Sequence, residues 1–273
     1  MDIHKLQEIV HSTREARRKQ TLPKYGPAER DQLIKKYHPD FRESAYRPLK
    51  FGPNAGEMTV RELAALLEGE SPIPADLDLK PDYQTDVLVI GGGGAGCAAA
   101  LHAHAHGAKV ILATKLRLGD SNTVMAQGGM QIAVTEEDSP VTHFLDTLKG
   151  GHMKNDHQLL KTMVEDGPSI AKWLLSLGVL FDRDSDGNLH VKKGGGSSKP
   201  RLVTCSDYTG LEIMRVLKDE VLNQKIQLLE FCAAVELLSD GGICTGAVFK
   251  DLDNHRFVVV AAKTVILATG GIG

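Results

Sequence analysis

A glycine-rich run, Gly91-Gly92-Gly93-Gly94-Ala95-Gly96, is the part of the sequence best suited to binding a phosphate. Its spacing Gly91-x-Gly93-x-x-Gly96 places glycine where a turn is tight, where the backbone approaches a pyrophosphate, and where a helix packs closely on a strand. The run follows an apolar strand from Asp86 to Ile90 and opens an Ala-rich helix from Cys97 to His106. Because a helix N-terminus favours an anion, this context predicts a dinucleotide site rather than a structural glycine turn.

The strand after this helix ends without an acidic residue. It runs from Lys109 to Thr114 and continues into Lys115, whereas an acidic side chain at this place usually binds the ribose hydroxyls of a dinucleotide. Thr114 and Lys115 are therefore the local candidates for cofactor binding, and the ribose contact comes from Thr114 or from elsewhere in the chain.

Two further segments combine small residues with backbone amides. Asp120 to Gly129 joins hydroxyls to a close pair of glycines, which suits a segment that passes beside a phosphate and a flat ring. Its candidate cofactor residues are Ser121, Asn122, Thr123, Gln127, Gly128 and Gly129. The apolar strand Thr264 to Ala268 runs into Thr269-Gly270-Gly271, and a glycine turn after a strand normally delivers its amides to a ligand. The candidate set is completed by Ala268, Thr269, Gly270 and Ala233.

The elements that must position these segments alternate as strand, glycine turn, helix and strand from Asp86 to Thr114, which is a βαβ unit. We predict an α/β fold over residues 81–273: a Rossmann-like domain with a parallel sheet, a β-meander and a mainly helical insertion over 135–225. The domain is expected to be truncated before a capping and catalytic part, either as a piece of a longer protein or as half of a split one.

Periodicity locates the other elements of this domain. Helical spacing dominates from Pro140 to Leu177 and from Asp207 to Leu222. Strands return from Ile226 to Val260, with turns at Asp240-Gly241-Gly242 and Asp253-Asn254, and these predict the meander.

Residues 1–80 have a different character. Apolar residues recur at helical spacing from Ile3 to Val10, a second helix is predicted from Ala28 to Tyr37, and Thr59-Val60-Arg61-Glu62 matches a capping box at the start of a third. We predict a helical N-terminal extension that is too thinly apolar for its own core.

Several separated motifs resemble one family of flavoproteins. Besides the glycine turn and Gly128-Gly129, they are His143-Phe144-Leu145-Asp146-Thr147-Leu148, Trp173-Leu174 to Gly178-Val179 to Phe181-Asp182, Pro200-Arg201 to Asp207-Tyr208-Thr209-Gly210, and Ala268-Thr269-Gly270-Gly271. In this order they resemble the flavoprotein subunits of succinate dehydrogenase and fumarate reductase and, most closely, L-aspartate oxidase. The resemblance runs from about Thr85 to Gly273.

The resemblance implies an FAD whose N5 exchanges hydride with a dicarboxylate or an amino dicarboxylate. Gln127, Gly128 and Gly129 are the candidates for lining the flavin ring. Family members with covalent flavin carry histidine where this chain has Asn122, so we predict noncovalent, releasable FAD. Arg201 and Thr209 are candidates for binding an anionic substrate, with a structural role as the alternative.

Two departures limit what the resemblance implies. L-aspartate oxidases read Glu-Gly-Gly-His-Ser where this chain reads Gly194-Gly195-Gly196-Ser197-Ser198, and serine supplies no cation. The His-Pro-Thr-Gly segment of the family and its carboxylate-binding arginines have no counterpart up to Gly273. No catalytic residue is therefore assigned within the chain.

Three functions remain open. The leading one is an FAD-dependent oxidoreductase that acts on a small carboxylate substrate. Its rival is a noncatalytic flavin-holding or electron-relay subunit, tied to an iron–sulfur or other electron-transfer subunit through its basic N-terminal helices. An NAD-dependent dehydrogenase is the third, although nothing after the βαβ unit resembles a nicotinamide site.

Other charged clusters have simpler interpretations, and we predict no metal site. Asp182 to Gly187 imitates the start of a calcium loop, but its twelfth place is Lys193 rather than glutamate, which favours a polar turn. His102 and His106 share a helix face without a recognisable third ligand. Glu136-Glu137-Asp138 suits a helix N-terminus better than a general base.

Composition excludes several classes of protein. With 32 basic and 35 acidic residues the net charge is -3, which gives no attraction to nucleic acid. The four cysteines show no metal-binding or disulfide spacing. No apolar run approaches the roughly 20 residues of a transmembrane helix, and the N-terminus lacks the apolar core of a signal peptide, so a cytoplasmic location is expected.

Overall fold

Four α-helices and a pair of short strands form the N-terminal unit, Met1–Ser71, in the computed structural model, which describes residues 2–271. The helices are α1 (Ile3–Ser12), α2 (Arg14–Lys19), α3 (Pro27–Tyr37) and α4 (Arg61–Leu67), and strand β1 (Tyr46–Pro48) pairs antiparallel with β2 (Met58–Val60). Within residues 2–71, Ala64 is the only apolar residue that is fully buried. The unit therefore has little apolar core.

Ion pairs connect the strands of this unit to the end of α4. Arg47 Nη1 on β1 lies 2.8 Å from Glu68 Oε2, and the amide of Lys50 donates to Glu68 Oε1 at 2.7 Å. Burial acts against ionisation of Glu68, but these donors hold its pKa below the ordinary value.

The capping box predicted over Thr59–Glu62 is wrong. Thr59 lies in β2, where it pairs with Arg47 of β1. The residue that precedes α4 is Val60, which makes no side-chain cap. Thr59 is therefore part of a strand and does not make the helix cap that the sequence pattern predicted.

The second unit, Pro72–Gly273, contains the predicted βαβ unit. Strand β3 (Tyr83–Ile90) leads into α5 (Gly94–Ala105) and β4 (Val110–Ala113), which pairs in parallel with β3. The later elements are β5 (Met130–Gln131), α6 (Pro140–Gly150), α7 (His157–Leu177), β6 (Val191–Lys192), β7 (Leu202–Val203), α8 (Thr209–Asn223), β8 (Gln227–Leu229), β9 (Cys232–Asp240), β10 (Ile243–Asp251) and β11 (Phe257–Leu267). The predicted α/β class is confirmed.

A six-stranded sheet in the order β8-β4-β3-β11-β10-β9 forms the centre of this unit. Strands β8, β4, β3 and β11 run parallel to one another, whereas β11, β10 and β9 are successive antiparallel neighbours. The predicted parallel sheet and β-meander are both present, and they share strand β11.

Two strands lie differently from the sequence-based prediction. The last strand, expected as a separate element over Thr264–Ala268, is the continuation of β11, because Ala261-Ala262-Lys263 offers no turn residues to interrupt it. Strand β8, expected within the meander region, pairs instead with β4 at the opposite edge of the sheet.

Side chains alternate between the two faces of β3 and β4, as the pleat of a strand requires. Val89 and Leu112 belong to an apolar cluster that also contains buried residues of α5, α7 and α8. Leu88 and Ile111 belong to a second cluster, with Phe249 and other residues of the meander. The strand ends beside the glycine turn are thus fixed on both faces.

A small antiparallel sheet, in the order β5-β7-β6, accompanies the helices of the region predicted as a mainly helical insertion. Met130 and Gln131 of β5 pair with Val203 and Leu202 of β7. This pairing brings the chain after Gly129 next to the chain before α8.

Candidate cofactor site

The glycine turn between β3 and α5 has no room for side chains at two positions. A Cβ on Gly91 would lie 2.2 Å from the carbonyl oxygen of Ala268, and Gly91 has a φ of +122°. A Cβ on Gly96 would lie 1.7 Å from the carbonyl oxygen of Gly91. The fingerprint spacing therefore reflects close backbone packing within the turn and against the end of β11.

Two hydroxyl-bearing residues flank the N-terminus of α5. Gly93 precedes the helix and supplies no side-chain cap. Thr123 Oγ1 accepts a hydrogen bond from the amide of Gly94 at 3.2 Å, and a Cβ on Gly93 would lie 3.2 Å from Ser121 Cβ. The structure thus brings the segment 121–123 to the glycine turn, as a common phosphate site requires, while Asn122 is exposed.

The end of β4 lies on another side of the turn. Thr114 is buried, and its Oγ1 would be 2.8 Å from a Cβ on Gly92. Lys115 is exposed. Ala233 is the second residue of β9, next to Cys232, whose amide donates to the carbonyl of Thr114 at 2.9 Å.

Glu230 lies near this point and is not among the residues predicted from the sequence. Glu230 directly follows β8, and its Oε1 accepts a hydrogen bond from the amide of Leu118 at 2.6 Å. An acidic residue at the carboxyl end of a parallel strand is the signal that would have found it, but β8 was not separated from the meander.

The turn after β11 completes the surroundings of Gly91. The amide of Ala268 donates to the carbonyl of Ile90 at 2.8 Å, and the amide nitrogen of Thr269 would lie 3.2 Å from a Cβ on Gly91. Gly270 is exposed and has a φ of +77°, which glycine adopts without strain. Ala268 and Thr269 are therefore brought to the glycine turn.

The segment Ala126–Gly129 is held by the start of α8 and by β7. The amide of Gly210 donates to the carbonyl of Ala126 at 2.7 Å. The buried Thr209 Oγ1 accepts from the amide of Cys205 at 3.1 Å and lies 3.5 Å from the carbonyl of Gln127. For Thr209 the sequence left open substrate binding or a structural role, and these contacts favour the structural role. Gln127 and Gly128 are exposed.

Gly129 packs against the strand that runs into this region. A Cβ on Gly129 would lie 2.5 Å from the carbonyl oxygen of Val203 and 2.8 Å from Thr204 Cγ2. Thr204 Oγ1 in turn donates to Asp182 Oδ2 at 2.5 Å, and this hydrogen bond, together with the amide of Ser206, holds the pKa of Asp182 below its ordinary value. Asp182 thus fixes the backbone behind Gly129.

Arg201 is fully buried and paired with two carboxylates. Its Nε and Nη2 donate to the two oxygens of Asp138 at 2.6 and 2.8 Å, and its Nη1 donates to Asp146 Oδ2 at 2.6 Å. The side chain is 0% exposed, so its guanidinium does not reach the surface where a substrate carboxylate would bind. The geometry favours the structural role that the sequence left open for Arg201.

Asp138 and Asp146 were not recognised as partners of this arginine. The acidic cluster Glu136-Glu137-Asp138 does precede a helix N-terminus, that of α6, but the side-chain cap is Ser139, which accepts from the amide of Thr142 at 3.1 Å. Asp138 pairs with Arg201 instead. The hydrogen bond from Arg201 is the main cause of the lowered pKa of Asp138. The amide of Ser198, with Arg201, lowers the pKa of Asp146 to about 2.

The segments weighed as metal sites serve other contacts. Asp184 Oδ1 accepts from the amides of Asp186 and Asn188, which makes the calcium-like segment a polar turn. The His102 ring lies 4.8 Å from that of Trp173. Among the residues that the structure describes, no cluster of histidine, cysteine, aspartate or glutamate is arranged to hold a metal.

The residues present fit a dinucleotide. Backbone atoms lie where the Cβ atoms of Gly91 and Gly96 would be, so the turn is tightly packed and carries no side chains at these two positions. Gly93 itself supplies no side-chain cap to α5. The amide of Gly94 donates to Thr123 Oγ1, and the remaining amides of the first turn, with the helix dipole, are suited to a pyrophosphate. The turn also lies at the carboxyl ends of β3 and β4, where open α/β sheets bind their ligands.

Comparison with protein families decides which dinucleotide this is. Residues 86–273 match the model of the FAD binding domain. The chain belongs to that family. The predicted family and the predicted cofactor, FAD, are confirmed.

The FAD-binding domain has relatives that are named enzymes or parts of enzymes. It is 37% identical over 195 residues to a subunit of the fumarate reductase (CoM/CoB) of Methanothermobacter marburgensis, covering 70% of this chain and 36% of that protein. It is 35% identical over 194 residues to L-aspartate oxidase of Clostridium acetobutylicum, covering 70% and 44%. The chain thus spans less than half the length of these relatives.

Solved structures support the same fold for the FAD-binding domain. The Sdh1 complex of Mycobacterium smegmatis in its apo form contains a chain that matches with a TM-score of 0.66 and 36% identity, over 70% of this chain and 35% of that one. Which residues contact FAD, and whether the flavin is covalently attached, stay predictions. Among the described residues, no helix is long and apolar enough to cross a membrane.

Proposed function

We propose that this FAD-binding domain belongs to an FAD-dependent oxidoreductase of the fumarate reductase, succinate dehydrogenase and L-aspartate oxidase type. The proposed reaction is hydride exchange between FAD and a small carboxylate-bearing substrate. The observation that carries the proposal is the convergence of three segments on one place: the Gly91–Gly96 turn, the segment 121–123 and the turn after β11. The similarity to an L-aspartate oxidase and to part of a fumarate reductase supports the reaction class.

The glycine turn would hold the pyrophosphate of FAD. The amides of Gly93, Ala95 and Gly96 at the start of α5 are the proposed donors, while the amide of Gly94 donates to Thr123 Oγ1. Ser121 and Thr123 would add hydroxyl donors from the facing segment. The amides of Thr269 and Gly270 would complete the enclosure. Thr114 and Lys115, with Ala233 beside them, are proposed for the nucleotide end of the cofactor.

The segment Gln127–Gly129 would lie along the flavin ring. When bound, FAD supplies hydride transfer at N5. The protein's own contribution is to hold the backbone of this segment in place, through the hydrogen bond from Gly210 to Ala126 and the packing of Gly129 on Val203. Because this segment is closely packed, it would hold the flavin in one orientation. Fixed orientation of the reacting groups is a large part of enzymatic catalysis.

The substrate carboxylate needs cationic or amide donors that the described residues do not offer at Arg201 or Thr209. Arg201 is buried and paired with Asp138 and Asp146, and Thr209 is buried at 1% exposure. We therefore propose both as supports of the site, with substrate binding supplied by other groups.

A second candidate function is a flavin-holding or electron-relay subunit without a substrate site. The burial and pairing of Arg201 favour it. The similarity to a protein named as one subunit of a fumarate reductase and to a chain of the Sdh1 complex also favours it. A complex with an iron–sulfur or other electron-transfer subunit is proposed on the basis of these similarities. A cytoplasmic location stays a proposal from the sequence alone.

Turnover separates the two functions. The full-length protein, purified with its natural partners and reconstituted with FAD, would be reduced with dithionite and mixed with fumarate while absorbance at about 450 nm is followed. Reoxidation by fumarate, or reduction of the oxidised form by succinate or aspartate, supports the enzyme. A flavoprotein with a stable iron–sulfur partner and no response to these carboxylates supports the relay subunit, and a protein that never takes up FAD contradicts both.

A further inference from the structure

Arg201 connects three segments that are far apart in the sequence. Its backbone lies at the start of β7, where its carbonyl accepts from the amide of Ile132 at 2.8 Å. Its side chain reaches Asp138, just before α6, and Asp146, in the middle of α6. A guanidinium paired at both edges fixes directions as well as distances, so these segments have one relative placement.

One carboxylate oxygen of Asp146 connects Arg201 to a loop. Asp146 Oδ2 accepts from Arg201 Nη1 at 2.6 Å and from both the amide and the hydroxyl of Ser198 at 2.8 Å. We call residues Gly194–Ser198 the glycine–serine loop. Three donors on one carboxylate oxygen hold the end of this loop against α6.

The other contact of the glycine–serine loop is with the chain beside the proposed flavin ring. The buried Ser197 donates through Oγ to Gln131 Oε1 at 2.6 Å. A Cβ on Gly194 would lie 3.1 Å from Gln131 Nε2. Gln131 is two residues beyond Gly129, so the loop is attached next to the segment proposed to line the flavin.

We infer that Arg201 is a positioning residue, which acts through Asp146 to hold the glycine–serine loop against Gln131 at the substrate side of the flavin site. The inference rests on the proposed function, in which a substrate that exchanges hydride with FAD must reach the flavin ring beside Gln127–Gly129. A buried ion pair is seldom a net source of stability compared with apolar packing, whereas this one joins the segment before β7 to the start and the middle of α6. Arg201 would thus support binding of the substrate through the loop, without contacting the substrate carboxylate itself.

The test uses the FAD-loaded full-length protein and conservative variants. Asp146→Asn keeps the size of the side chain but weakens the shared acceptor, and Arg201→Lys keeps the charge but cannot bridge both carboxylates. Arg215→Lys is the matched control, because Arg215 also pairs with two carboxylates, Glu212 and Asp219, but is half-exposed on α8. Two quantities are measured: amide exchange of residues 194–198 by mass spectrometry, and the Kd of malonate from the change in the flavin spectrum.

We expect Asp146→Asn and Arg201→Lys to retain flavin, to exchange the amides of 194–198 at least about tenfold faster, and to raise the Kd of malonate about tenfold or more. Arg215→Lys should change neither quantity. A merely structural role would lower the yield or the thermal stability of flavoprotein without changing the Kd of the folded fraction. Unchanged exchange and unchanged Kd in both variants would overturn the inference.

Two further outcomes also count. If a variant fails to fold, Ser198→Ala replaces it, because it removes one hydroxyl and leaves both ion pairs of Arg201; faster exchange at 194–198 then supports the inference and no change contradicts it. If the wild-type flavin spectrum does not respond to malonate and no carboxylate is turned over, the proposed enzyme function fails. The exchange rates then still show whether Arg201 holds the loop.

Discussion

Gly210 lies directly against the backbone of Thr123. A Cβ built on Gly210 would stand 1.9 Å from the carbonyl oxygen of Thr123 and 2.8 Å from that of Ala126. The start of α8 and the short helical turn Asn122–Met125 can therefore meet only because residue 210 has no side chain. This contact holds Thr123 beside the amide of Gly94.

Gly210→Ala should weaken FAD binding even though alanine is the better helix former by up to about 1 kcal/mol. The added methyl group displaces the 122–125 turn from α5, and overpacking of this kind costs about 1–3 kcal/mol. Fluorescence titration with FAD measures the affinity, and thermal unfolding measures the stability. An affinity equal to that of the wild type would show that α8 does not support the phosphate site.

Gly96→Ala should abolish or strongly reduce FAD binding. Its Cβ would lie 1.7 Å from the carbonyl oxygen of Gly91, so the turn must open, and a penalty of about 2 kcal/mol or more corresponds to an affinity loss of about thirtyfold or more. Gly150→Ala is the control, because a Cβ there meets nothing within 4 Å. Retention of flavin by the Gly96 variant would contradict the proposed pyrophosphate turn.

Acid should destabilise the turn between β10 and β11. Hydrogen bonds from the side chain and amide of Asn254 lower the pKa of Asp251 to about 2, against about 3.9 in an unfolded chain. A lowered native pKa stabilises the fold above the unfolded value, and this contribution is lost as pH falls from about 4 to about 2. Asp251→Asn should therefore be less stable than the wild type at pH 7, with a difference that shrinks on acidification.

Urea unfolding at a series of pH values measures this difference. The wild-type and Asp251→Asn midpoints should converge near the low end of the range. A gap that stays constant from neutral pH to pH 3 and below would show that Asp251 does not titrate with folding.

Denaturation should release the flavin. Asn122 is exposed beside the glycine turn, and an amide offers no nucleophilic nitrogen comparable with that of an imidazole for attachment to a flavin. Acid precipitation of the FAD-loaded protein should leave the absorbance at about 450 nm in the supernatant. Colour that stays with the washed pellet would contradict a noncovalent cofactor.

Local patterns in the sequence were sufficient for the parts of the fold that depend on neighbours along the chain. The Gly91–Gly96 turn, the strand before it and the helix after it lie where spacing and periodicity predicted them. The meander turns at Gly241 and Asn254 follow from turn residues between apolar strands. The residues that specify these elements lie within the elements or a few positions away from them.

Pairings between distant segments could not be predicted in this way. Arg201 finds Asp138 and Asp146 at separations of 63 and 55 residues, and no local pattern marks either acid as its partner. Strand β8 looks like part of the meander in sequence, yet it pairs with β4 because that edge of the parallel sheet is free to accept a parallel neighbour. Thr59 satisfied a helix-capping pattern, but its pairing with Arg47 prevailed.

Strand β11 closes the cofactor turn but is synthesised well after the turn itself. The amide of Val259 donates to Asp82, 177 residues earlier, and the carbonyl of Ala268 stands directly behind Gly91. Because β11 follows β3, α5 and β4 in the chain, a nascent chain carries these three elements before the backbone that closes the turn has been synthesised. The complete surroundings of Gly91 therefore exist only once β11 has joined the sheet.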